Sequence, residues 1–177
     1  MLDNIRAHSF KVAHVAELLI TGLHNSKKIT APQPDIGLVI AGALLHDIAK
    51  TQCLEGKCFH DVVGQEICND LGYPEIGEIV REHVLLKHFT PQRYKKSLWG
   101  AKEIVYYADK RVRHDEIVSL ESRLKYIIDV YSDNNPQKET YIRRNFLQCQ
   151  ELERYIYTFL DFSPDEVQHL ISEEAFL

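Results

Sequence analysis

GALLHDIAK, residues 42–50, decides how the rest of the chain is read. Its first half extends an apolar run through Ile40 and Ala41, as a buried helix would. With Asp35 as N-cap, the spacing predicts one helix reaching about Lys50. The end of that helix is the anomaly. His46 and Asp47 stand side by side, and Lys50 follows one turn later. Burying an imidazole and a carboxylate is costly unless both are paired, so this helix tip must meet partners.

Working outward, every neighbour also reads as helix. Residues 3–24 place Ile5, His8, Val12, Ala16, Leu19 and Leu23 on one face. A proline-marked loop, 25–34, leads to Asp35. A helix from about Asp61 to Leu71 ends at Gly72, and Pro74 opens the next, which runs to about His83. Residues 85–100 are expected to be irregular. Ile104, Val105, Ala108 and Val112 mark another helix, and Ser119 caps one through about Tyr131. A turn at 132–137 precedes a long helix carrying Ile142, Phe146, Cys149, Leu152, Ile156 and Phe159. SPDE at 163–166 has the form of a capping box with proline at N1. No strand and no hairpin signal is found. The expected fold class is all-α.

Composition sets the outer limits. The chain has 177 residues, 45% hydrophobic and 27% charged, with a net charge of −5. That suits one soluble domain with an appendage, and it argues against wholesale attraction to nucleic acid or anionic membrane. KRVR at 110–113 and RR at 143–144 are too short to reverse this. MLDNIRAHSF lacks a basic region followed by an apolar run, and no stretch is apolar enough to span a membrane. Cys53, Cys58, Cys68 and Cys149 are expected as reduced thiols, which with the missing leader points to a cytoplasmic protein.

Nine histidines are many for this length, so position must sort them. His8 lies on the apolar stripe of its helix; His14 and His24 lie well off it. His83 follows Ile76 and Val80 at helical spacing. Asp109 sits at the edge of the stripe made by Val105 and Val112, and His60 stands at a helix start. A lone inward histidine is an ordinary core residue, and Asp109 alone could pair with Arg113. Taken together, inward His and Asp residues can be satisfied at once by a divalent metal, and one carboxylate can bridge two ions.

The order His8, His46-Asp47, Asp109 resembles the HD superfamily of metal-dependent phosphohydrolases. AHSFKVAHVAELL resembles that family's first helix, AGALLHDIAK its signature helix, and IVYYADK the helix carrying its last aspartate. The resemblance covers roughly residues 4–113. It implies an HD-domain helical bundle, residues 1–113, with a C-terminal helical extension, 114–177, packed on it. The ligands it implies are His8, His46, Asp47 and Asp109. FHDVVGQEI and LGYPEIGEIVREHV resemble the HDIG-like subset with added histidines, so His60 and His83 carry over to a second ion, with Asp47 as bridge.

The activity implied is hydrolysis of a small phosphate ester, a nucleotide or related phosphomonoester or diester, by a metal-activated hydroxide. One or two divalent ions are implied, from among Mn, Fe, Ni, Co, Zn and Mg. Lys50 shares a helix face with His46 and Asp47 and is the first choice for a substrate phosphate contact. Lys110 and Arg113 come next, then Arg81 and Lys87. Residues 114–177 carry no chemical motif and are expected to serve packing or a homodimer contact. The rival reading is a non-hydrolytic HD module that binds metal and a nucleotide or partner protein. A structural zinc site on Cys53, Cys58, His60 and Cys68 is a further alternative.

Overall fold

The helix α1 (Asp3–Asn25) is the spine of the fold. It buries Ile5, His8, Val12, Ala16, Leu19 and Leu23, the stripe expected from the sequence. It packs mainly against α2 (Ile36–Leu45), and Asp35 caps α2 by accepting the Leu38 N–H at 2.8 Å. The computed structural model describes residues 1–54, 56 and 58–171. Loop positions 55 and 57 and the last residues of the expected extension, 172–177, lie outside the described residues.

The expected single helix to Lys50 is shorter. α2 stops at Leu45, and the chain tightens before α3 (Lys50–Cys53). Ile48 N–H donates to Leu45 O and Lys50 N–H to Asp47 O, each at 2.9 Å, an i to i+3 pattern that narrows the turn. His46 and Asp47 sit within this tight turn rather than inside a helix.

α4 (His60–Asp70) and α5 (Pro74–Glu82) form a closely packed pair. Two glycines permit the approach of neighbouring helices. A Cβ on Gly64 would lie 2.6 Å from Val80 Cγ1, and one on Gly42 would lie 2.7 Å from Ile79 Cδ1. Within the stretch expected to be irregular, Pro91 opens a one-turn helix, α6 (Pro91–Tyr94), whose Tyr94 is fully buried. α7 (Ala101–Lys110) runs through the centre, with Ile104, Val105, Tyr106, Tyr107 and Ala108 all at 0% exposure.

A two-residue antiparallel ladder follows, β1 (Val112–Arg113) with β2 (Glu116–Ile117). The sequence reading expected no strand, and a ladder this short shows no period-2 signal. His114 turns it with φ of 57°, a left-handed conformation in which histidine is enriched among non-glycine residues. α8 (Leu120–Tyr131) and α9 (Pro136–Phe159) follow, then a 3-10 turn (Pro164–Glu166) and α10 (Val167–Leu170). The architecture is all-α apart from the tiny ladder.

The α9 side chains Phe146, Cys149, Leu152 and Ile156 belong to the same buried core as Leu19, Ile20 and Val105. Arg111 ties the C-terminal part down further, donating to Val118 O at 2.8 Å and Pro164 O at 2.9 Å. No helix among the described residues is long and apolar enough to cross a membrane.

The cysteine expectation needs correction. Cys53 and Cys58 are joined in a disulfide, because the short loop between α3 and α4 brings their Cα atoms to 5.1 Å. Only Cys68 and Cys149 are free, both buried. The disulfide also removes the zinc reading, since both sulfurs are engaged and His60 points to Asp47 instead.

Candidate metal centre

The tight turn after α2 delivers His46 and Asp47 fully into the interior, at 0% and 1% exposure. Around them gather His8 from α1, His60 from the first position of α4, His83 just past the end of α5, and Asp109 from α7. Two sets have ligand atoms mutually within 4.8 Å: His8, His46 and Asp47, and Asp47 with His60 and His83. Asp47 is common to both. Asp109 adjoins the first set, its Oδ1 3.0 Å from His8 Nε2 and 3.7 Å from His46 Nε2.

Three of the histidines are aimed by the same device. Nδ1 of His8 donates to His114 O at 2.7 Å, that of His46 to Ala43 O at 2.7 Å, and that of His83 to Val80 O at 2.6 Å. A proton fixed on Nδ1 by a carbonyl leaves the Nε2 lone pair directed into the cluster, as a metal-binding imidazole requires. The positive-φ turn at His114 thus orients His8 from across the chain.

The donor set fits a divalent cation. His46 Nε2 and Asp47 Oδ1 are buried with no hydrogen-bond partner. Asp47 Oδ1 stands 3.4 Å from His60 Nε2 and 3.5 Å from His83 Nε2, too far for good hydrogen bonds. The Nε2 atoms of His60 and His83 approach to 3.2 Å. Orphaned lone pairs converging in a buried space are costly unless a cation lies among them.

Electrostatics prepare the same groups. Burial alone would push Asp47 up, but the charge of His46 beside it, with His83 and Lys50, holds its carboxyl well below the usual range. Burial opposes ionisation of Asp109 too, yet Lys110, His8 and His46 keep it well below normal. Burial and then the neighbouring His83 push His60 down to about 4, and burial lowers His83. Both are therefore neutral near pH 7, as ligands must be. His46 is raised, since Asp47 and Asp109 outweigh its burial.

The cations expected to meet substrate divide. Lys50 lies at the cluster, its Nζ 2.7 Å from Asp47 Oδ2 and its side chain 30% exposed. Lys110 is also there, but buried, donating to His83 O at 2.5 Å and Asp109 Oδ2 at 3.0 Å. Arg81 pairs with Asp61, and Arg113 with Glu116 at 2.7 Å. Neither of these, nor Lys87, lines the cavity that opens over the cluster.

That cavity is walled by residues on α8 and α9 to which the sequence reading gave no site role, with Arg123 reaching 3.9 Å from Asp109 Oδ1. A signal was present. Leu120, Leu124 and Ile127 make an apolar stripe on α8, and Arg123 stands on the same face, where a cation needs a reason.

This fold is all-α, and it gathers around one doublet histidines and aspartates that could hold a metal. The sequence profile of the HD domain family matches residues 5–134, and the chain belongs to that family, whose members are typically metal-dependent phosphohydrolases. No curated protein and no solved structure matches the chain.

Proposed function

We propose that this chain is a metal-dependent phosphohydrolase acting on a small phosphate ester, a nucleotide or related monoester or diester. The observation that carries the reading is Asp47, whose two oxygens face two histidine sets at once, with Oδ1 orphaned and buried. His8, His46, Asp47 and Asp109 would hold one divalent ion, and Asp47, His60 and His83 a second. Bound ions would lower the pKa of a coordinated water towards neutrality and offset the charge on the phosphoryl group.

The chain's own residues do the remaining work. The backbone carbonyls of His114, Ala43 and Val80 fix three imidazoles in the tautomer that presents Nε2. Lys50 holds Asp47 Oδ2 and lines the cavity with its side chain part-exposed, where a phosphate oxygen could meet its ammonium.

The test is a panel of phosphomonoesters, diesters and nucleotides offered to protein loaded with manganese or iron, with metal content measured. Hydrolysis is expected. Asp47→Ala is expected to lose most bound metal and more than about a hundredfold in rate, since even outer-shell changes cost tenfold to a hundredfold. Full activity in that variant would sink the assignment, and metal binding without turnover of any ester would favour a regulatory binding module instead.

A further inference from the structure

The cavity over the cluster has two unlike sides. Its floor is the charged cluster with Lys50. A second part of its lining is apolar and comes from Val84 and from α8 and α9: Ile127, Tyr131, Tyr141, Ile142 and Phe146. Tyr131, Tyr141 and Val84 are among the exposed large apolar side chains, and here they share one cavity. Its volume, about 340 Å³, falls within the range of small-molecule sites and is far more than a bare phosphate needs.

Arg123 reaches from this wall towards the floor. Its side chain is only 9% exposed, yet its Nε has no hydrogen-bond partner. The nearest carboxylate, Asp109, is 3.9 Å from Nη2, at the limit of an ion pair, and the guanidinium lies 5.5 Å from the Tyr126 ring centroid. A buried guanidinium with an unanswered N–H beside a cavity lacks an acceptor, and its planar fork matches phosphate oxygens. Lys110, by contrast, already donates to His83 O and Asp109.

The wall excludes some substrates. Asn145, the neutral amide in the lining, donates to Val84 O at 2.9 Å and accepts from the Tyr106 hydroxyl at 2.7 Å. A sugar or polyol phosphate would lose hydration against Ile127, Ile142 and Phe146 and find polar partners on this wall mainly in the Tyr131 and Tyr141 hydroxyls. A ring would gain both apolar burial and contacts with the tyrosines.

We propose that Arg123 grips the substrate phosphate from beside the metal ligands, next to Asp109, and that the α8–α9 wall takes an aromatic substituent carried by that phosphate. This rests on the phosphohydrolase reading above and narrows its substrate to aromatic organophosphates, either nucleotides or aryl esters.

The experiment is calorimetric titration of the full, manganese-loaded chain with phenylphosphonate and methylphosphonate. The two share a head group, and neither contains an ester to be hydrolysed. Phenylphosphonate is expected to bind about tenfold tighter or more, the effect of burying one ring face. Tyr141→Ser and Ile142→Ser should each shrink that gap while leaving methylphosphonate affinity unchanged. Tyr141 is 60% exposed, so its replacement leaves the core intact. Arg123→Gln should weaken both ligands about tenfold or more at unchanged metal content, with Arg123→Lys recovering part. The 5′-methylenephosphonate of adenosine distinguishes the two sources: binding tighter than phenylphosphonate identifies a nucleotide, weaker binding an aryl ester.

Equal affinity for the phenyl and methyl ligands, or binding of neither, overturns the proposal, whether or not the protein hydrolyses esters. Unchanged affinities in Arg123→Gln overturn the role of Arg123. Discrimination without hydrolysis of any ester leaves this site standing and removes the phosphohydrolase reading.

Discussion

His46 shows how one side chain serves two charge states. Its Nδ1 is tied to Ala43 O, and its Nε2 faces Asp47 and Asp109 at 3.5 and 3.7 Å. Burial works against a charge there, but the two carboxylates raise its pKa above the ordinary value. Without a metal, the proton on Nε2 stabilises the fold. That contribution is full below the unfolded-state value and is lost as pH rises through the raised one. A divalent ion needs the same lone pair, so metal and proton compete at one atom. His60, held at about 4, and the lowered His83 bring no proton to this competition near neutrality. Metal uptake just below the raised His46 value is therefore expected to release about one proton, and apparent affinity should fall as pH drops through that value. Titration calorimetry in two buffers of different ionisation enthalpy reads the release directly; a heat independent of buffer counts against it. The doublet was legible in the sequence because imidazole and carboxylate have no business on an apolar helix without partners. The orphaned state of His46 Nε2 was not, because it depends on which carbonyl takes Nδ1.

At the scale of elements, helices with a clear apolar stripe were legible almost to the residue. α1 buries the side chains its periodicity selects, and α9 buries Phe146, Cys149, Leu152 and Ile156 while Ile142 and Phe159 are half-buried. The errors fell where local hydrogen bonding overrides pattern. α2 was expected to reach Lys50 from its Asp35 N-cap and its apolar spacing, yet i to i+3 bonds end it at Leu45. The β1–β2 ladder was too short to leave a pattern, though its turn residue positions His8. Arg123 was missed because spacing along α8 cannot say that α8 folds back over the cluster. The α4–α5 pair, which brings His60 to His83, depends on a close contact at Gly64. A Cβ there would stand 2.6 Å from Val80 Cγ1 and 3.3 Å from Ile48 Cγ2. Gly64→Ala is expected to cost about 1–3 kcal/mol of stability by overpacking. It should also push His60 away from His83 and lower the metal bound per chain, while Asp47 keeps His8 and His46. Val80→Ala in the Gly64→Ala background should restore metal content. Thermal melts and elemental analysis check both, and unaltered metal in Gly64→Ala would separate helix packing from the site.

At the scale of the whole molecule, the site is where the fold is joined. The candidate ligands come from α1, the turn after α2, α4, the end of α5 and α7. These segments are distant in sequence; Asp109 and His8 lie 101 residues apart. Of these, α1, α2, α5 and α7 share one core with α9, and α4 packs on α5, so most of the fold is held by apolar contacts away from the site. Without a metal, Asp47 Oδ1 stays buried with no hydrogen-bond partner, and His46 Nε2 faces its carboxylates only at 3.5 and 3.7 Å. A cation bound there favours the folded state alone, since the unfolded chain cannot assemble the set. Linkage sets the size of the effect: at free metal about a hundredfold above Kd, binding adds about 2.7 kcal/mol. For a chain of this length, each kcal/mol moves Tm by about 2–4 °C. Stripping the metal with a chelator is therefore expected to lower Tm by about 5–10 °C and to leave the helical circular dichroism at room temperature unchanged. The Asp47→Ala chain should melt at the same temperature with and without chelator. Scanning calorimetry on the two proteins decides the matter: a native-chain Tm indifferent to chelation means that no ion joins these helices, whatever else the cluster does.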